Sequence, residues 1–104
     1  MTQYELYVTP LAKNDILESE NFYEEQSPGL GAYFVDSIIS DLDALTFYGG
    51  VHPVHFGYYR MVTKRFPFVI YYEIENDLVV VHAILPTRKD PKALEKRLSK
   101  SPSI

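Results

Sequence analysis

The chain contains no cysteine and no tryptophan, and only two methionines. The missing cysteine excludes disulfides, thiolate zinc sites and a cysteine nucleophile together. Long apolar runs are also missing, so no segment reads as a membrane span, and the N-terminus lacks the basic-then-apolar pattern of a signal peptide. A soluble, cytoplasmic protein is expected. Basic residues are scarce in the first half: residues 1–57 hold nine acids and one base. Residues 58–104 hold nine bases and five acids, so the net charge of −4 hides an acidic half and a basic half. That polarity suggests an anionic partner on the basic side, or ordinary solvated charge.

What is present is ample apolar and aromatic material, including nine tyrosines and six phenylalanines, in 104 residues. That length predicts one domain, residues 1–104. Three strand-like runs dominate the second half: 58–64, 68–74 and 78–85, rich in β-branched and aromatic residues. Arg65-Phe66-Pro67 and Glu75-Asn76-Asp77 separate them, predicting an antiparallel meander. Strict alternation sorts the last run into Leu78, Val80, His82 and Ile84 on one face and Val79, Val81, Ala83 and Leu85 on the other. Both faces are apolar, so this strand is expected to be central. The protein's helices would cover one side of the sheet, leaving the other side for a partner.

Residues 3–8 alternate as a half-buried strand. Thr9-Pro10 reads as a helix start, and a helix is predicted to Gln26 with a stripe of Ala12, Ile16, Ser19 and Tyr23, widened by Leu17 and Phe22. Ser27-Pro28-Gly29-Leu30-Gly31 breaks it. A second helix is predicted from Leu30 to Leu45, with Phe34, Ile38, Leu42 and Leu45 as its core stripe. The connector 46–57 carries a candidate edge strand at Val54 to Phe56, and residues 91–98 predict a short final helix. The expected class is α+β: an N-terminal strand, then an antiparallel helical hairpin packed on a mainly antiparallel sheet, in the order β-α-α-β-β-β with a short C-terminal helix.

Little catalytic machinery is legible. His52 and His55 stand three apart, but no cysteine or nearby carboxylate completes a metal set, so neither a metal nor a cofactor is expected. His82, between Val81 and Ala83, reads as a core histidine. No nucleophile elbow is present. Arg60 is the best single candidate. It could bind a phosphate or a protein partner, or form an ion pair with Glu73 or Asp41.

The ordered set Ala12 with Asp15-Ile16, Gly29-Leu30-Gly31 before Phe34, Tyr59-Arg60, Arg65-Phe66-Pro67-Phe68 leading into Ile70-Tyr71-Tyr72, and Ala83-Ile84-Leu85 followed by Thr87-Arg88-Lys89-Asp90-Pro91 resembles the RelE/ParE superfamily of bacterial type II toxins. The resemblance covers nearly the whole chain. It implies a cytoplasmic toxin encoded beside an antitoxin whose C-terminal segment wraps and neutralises it. RelE-like members cut mRNA on the ribosome without a metal, using clustered Lys and Arg and a C-terminal Tyr or His. ParE-like members poison DNA gyrase by binding it.

This sequence departs from the nuclease pattern. Val69 stands where an arginine is common, Pro86 where many relatives have histidine, and no Tyr or His follows Asp90. The resemblance therefore favours the ParE-like, plasmid-stabilisation branch. Arg60, Tyr59, Tyr71, Arg88 and Lys89 become candidates for contact with gyrase or antitoxin. The alternative is a metal-independent endoribonuclease acting on ribosome-bound mRNA, with Arg60, Lys64, Arg65 and Arg88 as a phosphate clamp. A third reading is an inactive homologue retained for antitoxin binding. A homodimer or a toxin–antitoxin hetero-oligomer is expected.

Overall fold

Thr9 both ends the first strand and starts the first helix. Its hydroxyl oxygen accepts the Ala12 N–H at 3.2 Å, and Pro10 occupies the first turn, where a missing N–H costs nothing. In the computed structural model, which describes residues 3–99, β1 (Glu5–Val8) leads into α1 (Pro10–Gln26) and α2 (Leu30–Tyr48). There follow β2 (Val54–His55), β3 (Tyr58–Val62), β4 (Phe68–Glu75), β5 (Leu78–Pro86) and α3 (Pro91–Leu98). The α+β class and element order match expectation, with β2 a two-residue edge strand. No helix among the described residues is long and apolar enough to cross a membrane.

The α1–α2 turn is held by a carboxylate. Glu24 accepts the N–H groups of Gly29 and Gly31 at about 3 Å, supplying partners that the start of α2 lacks. Gly29 takes φ 87°, and a Cβ on Gly31 would lie 2.7 Å from the Glu20 carbonyl oxygen. Gly31 is therefore where the two helices touch. The predicted stripe of α2 is buried as expected, and the helix runs three residues past Leu45. The stripe of α1 is narrower than expected. Ala12 is buried and Ile16 and Tyr23 pack on the core, while Leu17 and Phe22 are exposed.

The sheet order is β1-β5-β4-β3-β2, with β1 parallel to β5 and every other pair antiparallel. The last long strand is thus interior, as expected. β3 stops at Val62 rather than residue 64, because the Thr63 hydroxyl donates to the Phe66 carbonyl and closes a loop. Phe66 from that loop packs against Tyr23, Tyr33 and Phe34.

Strict alternation fails on β5. Tyr71 pairs with Ala83 and Tyr72 with Val81, so His82 is skipped in a β-bulge. Val79, Val81 and Ile84 consequently all join the core beneath α1 and α2, with Ile70, Tyr72 and Met61. Ala83 and Leu85 turn to the outer face with Tyr58, Val69 and Tyr71. His82 shares that face and is half-exposed, so it is not a core histidine.

The outer face is not left for a partner alone. α3 lies across it, packing Leu98 and Leu94 on Tyr58, Val69, Tyr71, Ala83 and Leu85. Asp90 caps the helix through the Ala93 N–H, and Pro91 sits in its first turn.

Candidate functional site

The side chains that secure α3 define the best-built polar cluster in the fold. Arg97 of α3 forms a two-pronged pair with Asp15 of α1, at 2.8 and 2.7 Å. β1 leaves β5 after Thr9, whose N–H reaches the Val81 carbonyl. Beyond that point Asp15 accepts the Ile84 N–H at 3.0 Å, and Arg97 donates to the His82 carbonyl at 3.1 Å. The ion pair thus does for the bulged edge what a neighbouring strand would do, and ties three elements together. The pair spans 82 residues of sequence, so no local pattern announces it. The only hint is a carboxylate next to Ile16 on the buried side of α1.

The predicted site residues divide into three places. Arg60 lies on β3 opposite Tyr71, half-buried on the outer face. Its two expected ion-pair partners serve elsewhere. Glu73 binds His82 Nε2 at 2.9 Å, and Asp41, buried in α2, accepts the Lys64 N–H at 3.4 Å. Arg60, Glu73 and His82 therefore share one face on three adjacent strands, a cation beside a titratable pair, with Tyr58 against the His82 ring. Such a face can hold an anionic group.

Lys64 and Arg65 are exposed in the β3–β4 loop, and Arg88 and Lys89 in the turn after β5. The Thr87 N–H bonds to the Pro67 carbonyl, so both segments meet at one end of the sheet. The structure brings these four cations to that end and leaves Arg60 apart. Arg60 stands within β3, whereas Lys64 lies beyond its end at Val62, in the loop. The intervening row of Val69 and Leu85 is buried with Leu94 and Leu98.

The two candidate tyrosines are packing residues. Tyr59 turns to the inner face, where its ring stacks on Tyr72 with centroids 5.1 Å apart. Tyr71 is 2% exposed in the cluster formed with α3. The face assignment of Tyr59 follows from alternation. That of Tyr71 was legible too, but α3 as its cover was not.

The histidines diverge. His52 meets the Tyr72 hydroxyl through Nδ1, whereas His55 lies against Phe56. Among the described residues no three metal-binding side chains cluster. Tyr72 also accepts the Gly50 N–H at 2.9 Å, so the connector is pinned to the inner face at two points. Burial lowers the pKa of His52. Burial raises that of Tyr72 against the opposing Gly50 hydrogen bond.

Comparison with known proteins agrees with this architecture. The family described as the ParE toxin of the type II toxin–antitoxin system parDE matches residues 6–91. A chain of the chromosomal ParDE TA system from P. aeruginosa superposes with a TM-score of 0.73 at 18% identity, covering 81% of this chain and 96% of that one. At that identity the likeness concerns the fold. No individual curated protein matches the sequence.

Proposed function

Because the chain belongs to the ParE toxin family of type II toxin–antitoxin systems, we propose that it acts as a single-domain, cytoplasmic toxin that binds and poisons DNA gyrase. A cognate antitoxin neutralises it. The match of the ParE family along residues 6–91 carries this reading.

The placement of the cations supports it over the nuclease alternative. A phosphate clamp needs Arg60, Lys64, Arg65 and Arg88 to converge on one group. Here Arg60 is separated from the other three by the row beneath α3. A binding poison needs no convergence. Two separate basic surfaces, Arg60 on the outer face and Arg88 with Lys89 at the sheet end, suit contact with a large partner.

The test is purified gyrase with plasmid DNA. The toxin is expected to accumulate cleaved plasmid, and stoichiometric antitoxin to prevent it. Arg88→Ala combined with Lys89→Ala is expected to weaken the effect by about tenfold, equivalent to about 1.4 kcal/mol of binding. Unaffected gyrase, together with cuts in translated mRNA that Arg60→Ala abolishes, would reverse the assignment in favour of the endoribonuclease.

A further inference from the structure

The charge of the protein is divided in space as it is in sequence. Eight of the nine acids of residues 1–57 lie on α1 and α2, the helical layer. Lys64, Arg65, Arg88 and Lys89 are exposed at one end of the sheet, where the Thr87 N–H ties their two segments together. α3 continues this rim with Lys92 and Lys96, both exposed, one helical turn apart and lining a single shallow hollow with Glu95 and Ser99. The Arg97–Asp15 pair fixes α3, and with it the two lysines, against the rest of the fold.

The carboxylates nearby do little to offset this rim. Asp90 accepts the Ala93 N–H, Asp15 is paired with Arg97, and Glu18 of α1 accepts from Asn14. Along residues 64–67 and 86–99 six exposed cations, Lys64, Arg65, Arg88, Lys89, Lys92 and Lys96, stand against two exposed acids, Asp90 and Glu95. The local excess is therefore positive although the whole chain carries a net charge of −4.

The chemistry of the rim restricts what it can hold. Protein partners are anchored by aromatic and apolar side chains at the centre of the contact. The rim exposes no aromatic or large aliphatic side chain. Its one aromatic, Phe66, packs inward on Tyr23, Tyr33 and Phe34, and Leu94 and Leu98 lie against the sheet. A single-stranded nucleic acid needs aromatic platforms for its bases, which are missing for the same reason. A duplex backbone needs cations and N–H donors spread along a surface. On the reading of gyrase with its bound DNA as the target, we infer that the rim from Lys64 to Lys96 grips the phosphate backbone of duplex DNA. The acidic helices turn away from it, so the charge division also orients the approach.

The experiment is fluorescence anisotropy of a short labelled DNA duplex titrated with the full-length toxin, without gyrase, at several salt concentrations. A Kd of about 10⁻⁶–10⁻⁴ M is expected, with log K falling against log salt at a slope of about −4.5, as for about five phosphate contacts. Arg88→Gln with Lys89→Gln, and separately Lys92→Gln with Lys96→Gln, should each make that slope shallower by about 2 and weaken binding about tenfold at low salt. Lys13→Gln, exposed on α1 in the acidic layer, should leave both unchanged. All five positions are exposed, so melting temperatures should hold within about 3 °C. The two pairs lie on different segments, so either keeps the test open if the other fails to fold.

Absence of salt-dependent binding by the wild type, or binding that neither pair weakens, would overturn the DNA contact. Cleaved plasmid accumulating with gyrase would in that case leave the gyrase reading intact. Duplex binding lost in both pairs, with gyrase unaffected by the wild type, would sustain the contact and overturn only gyrase as its setting. Tighter binding to single-stranded RNA than to duplex DNA, lost in the same pairs, would give the rim to mRNA and overturn the inference. Weakened binding of the pairs to DNA-free gyrase, with duplex binding unchanged, would give it to protein and overturn the inference too.

Discussion

The two faces of the sheet are covered in different ways. On the inner face, α1 and α2 bury one continuous cluster from Ala12 to Ile84, with Phe34, Ile38 and Leu45 fully enclosed. On the outer face a single eight-residue helix covers a smaller cluster, and an ion pair from outside that cluster secures it. The inner cover is a hairpin between β1 and β2, whereas the outer cover follows the last strand, so local opening is expected at the outer cover first. Connectivity, and not burial alone, is expected to rank these elements by permanence.

The sharpest way to break the comparison is to damage each cover in turn. Phe34→Ala, at a fully buried inner site, should cost about 3–5 kcal/mol and lower the single thermal transition of the whole chain. Asp15→Ala removes both prongs of the Arg97 pair and the acceptor for Ile84. It should cost about 2 kcal/mol, because the pair is partly solvent-exposed. Hydrogen exchange should show α3 losing protection first, with α2 retaining its own. If instead α2 and α3 lose protection together, the two covers are one cooperative unit and the contrast fails.

Smaller effects sharpen the picture of the inner face. Gly31→Ala puts a more favourable residue in a helix, by about 1 kcal/mol on propensity alone. The added Cβ meets the Glu20 carbonyl at 2.7 Å, so we expect a net loss of about 1–2 kcal/mol in chemical denaturation. A gain in stability would mean that the helices separate freely.

The smallest effect is with pH. His52 is held neutral by burial, with its folded pKa below the usual value. The unfolded chain then takes up the proton first. Stability is full above about pH 6.5, declines as the pH falls towards the lowered folded value, and levels beyond it. His52→Asn removes the titrating imidazole and should flatten that decline in urea titrations at several pH values.

The elements were legible because each has local punctuation. Thr9-Pro10 and Asp90-Pro91 mark two helix starts, and the end of α3 at Leu98 coincides with its last apolar residue. Asn76, at φ 55°, made a tight hairpin readable from residue type alone. What escaped the sequence was tertiary. The bulge at His82 inverts the faces of the residues after it, and period-two reasoning cannot see an inserted residue. Phe22 looked like core by spacing, yet it is exposed, because only Ala12, Ile16 and Tyr23 of α1 meet the core. The candidate bases Arg60, Lys64, Arg65, Arg88 and Lys89 were visible as residues, but their division between the outer face and the sheet end was not. Asp15 and Arg97 were visible as residues and invisible as a pair.

The measurement closest to the central claim is viable count after tightly controlled induction in a bacterial host, with and without the adjacent small open reading frame. A toxin neutralised by a cognate antitoxin predicts a fall in viable count of several decades that co-expression of the neighbour reverses. Undiminished viability from soluble, folded protein at good yield would contradict toxicity and point to a homologue retained for antitoxin binding alone.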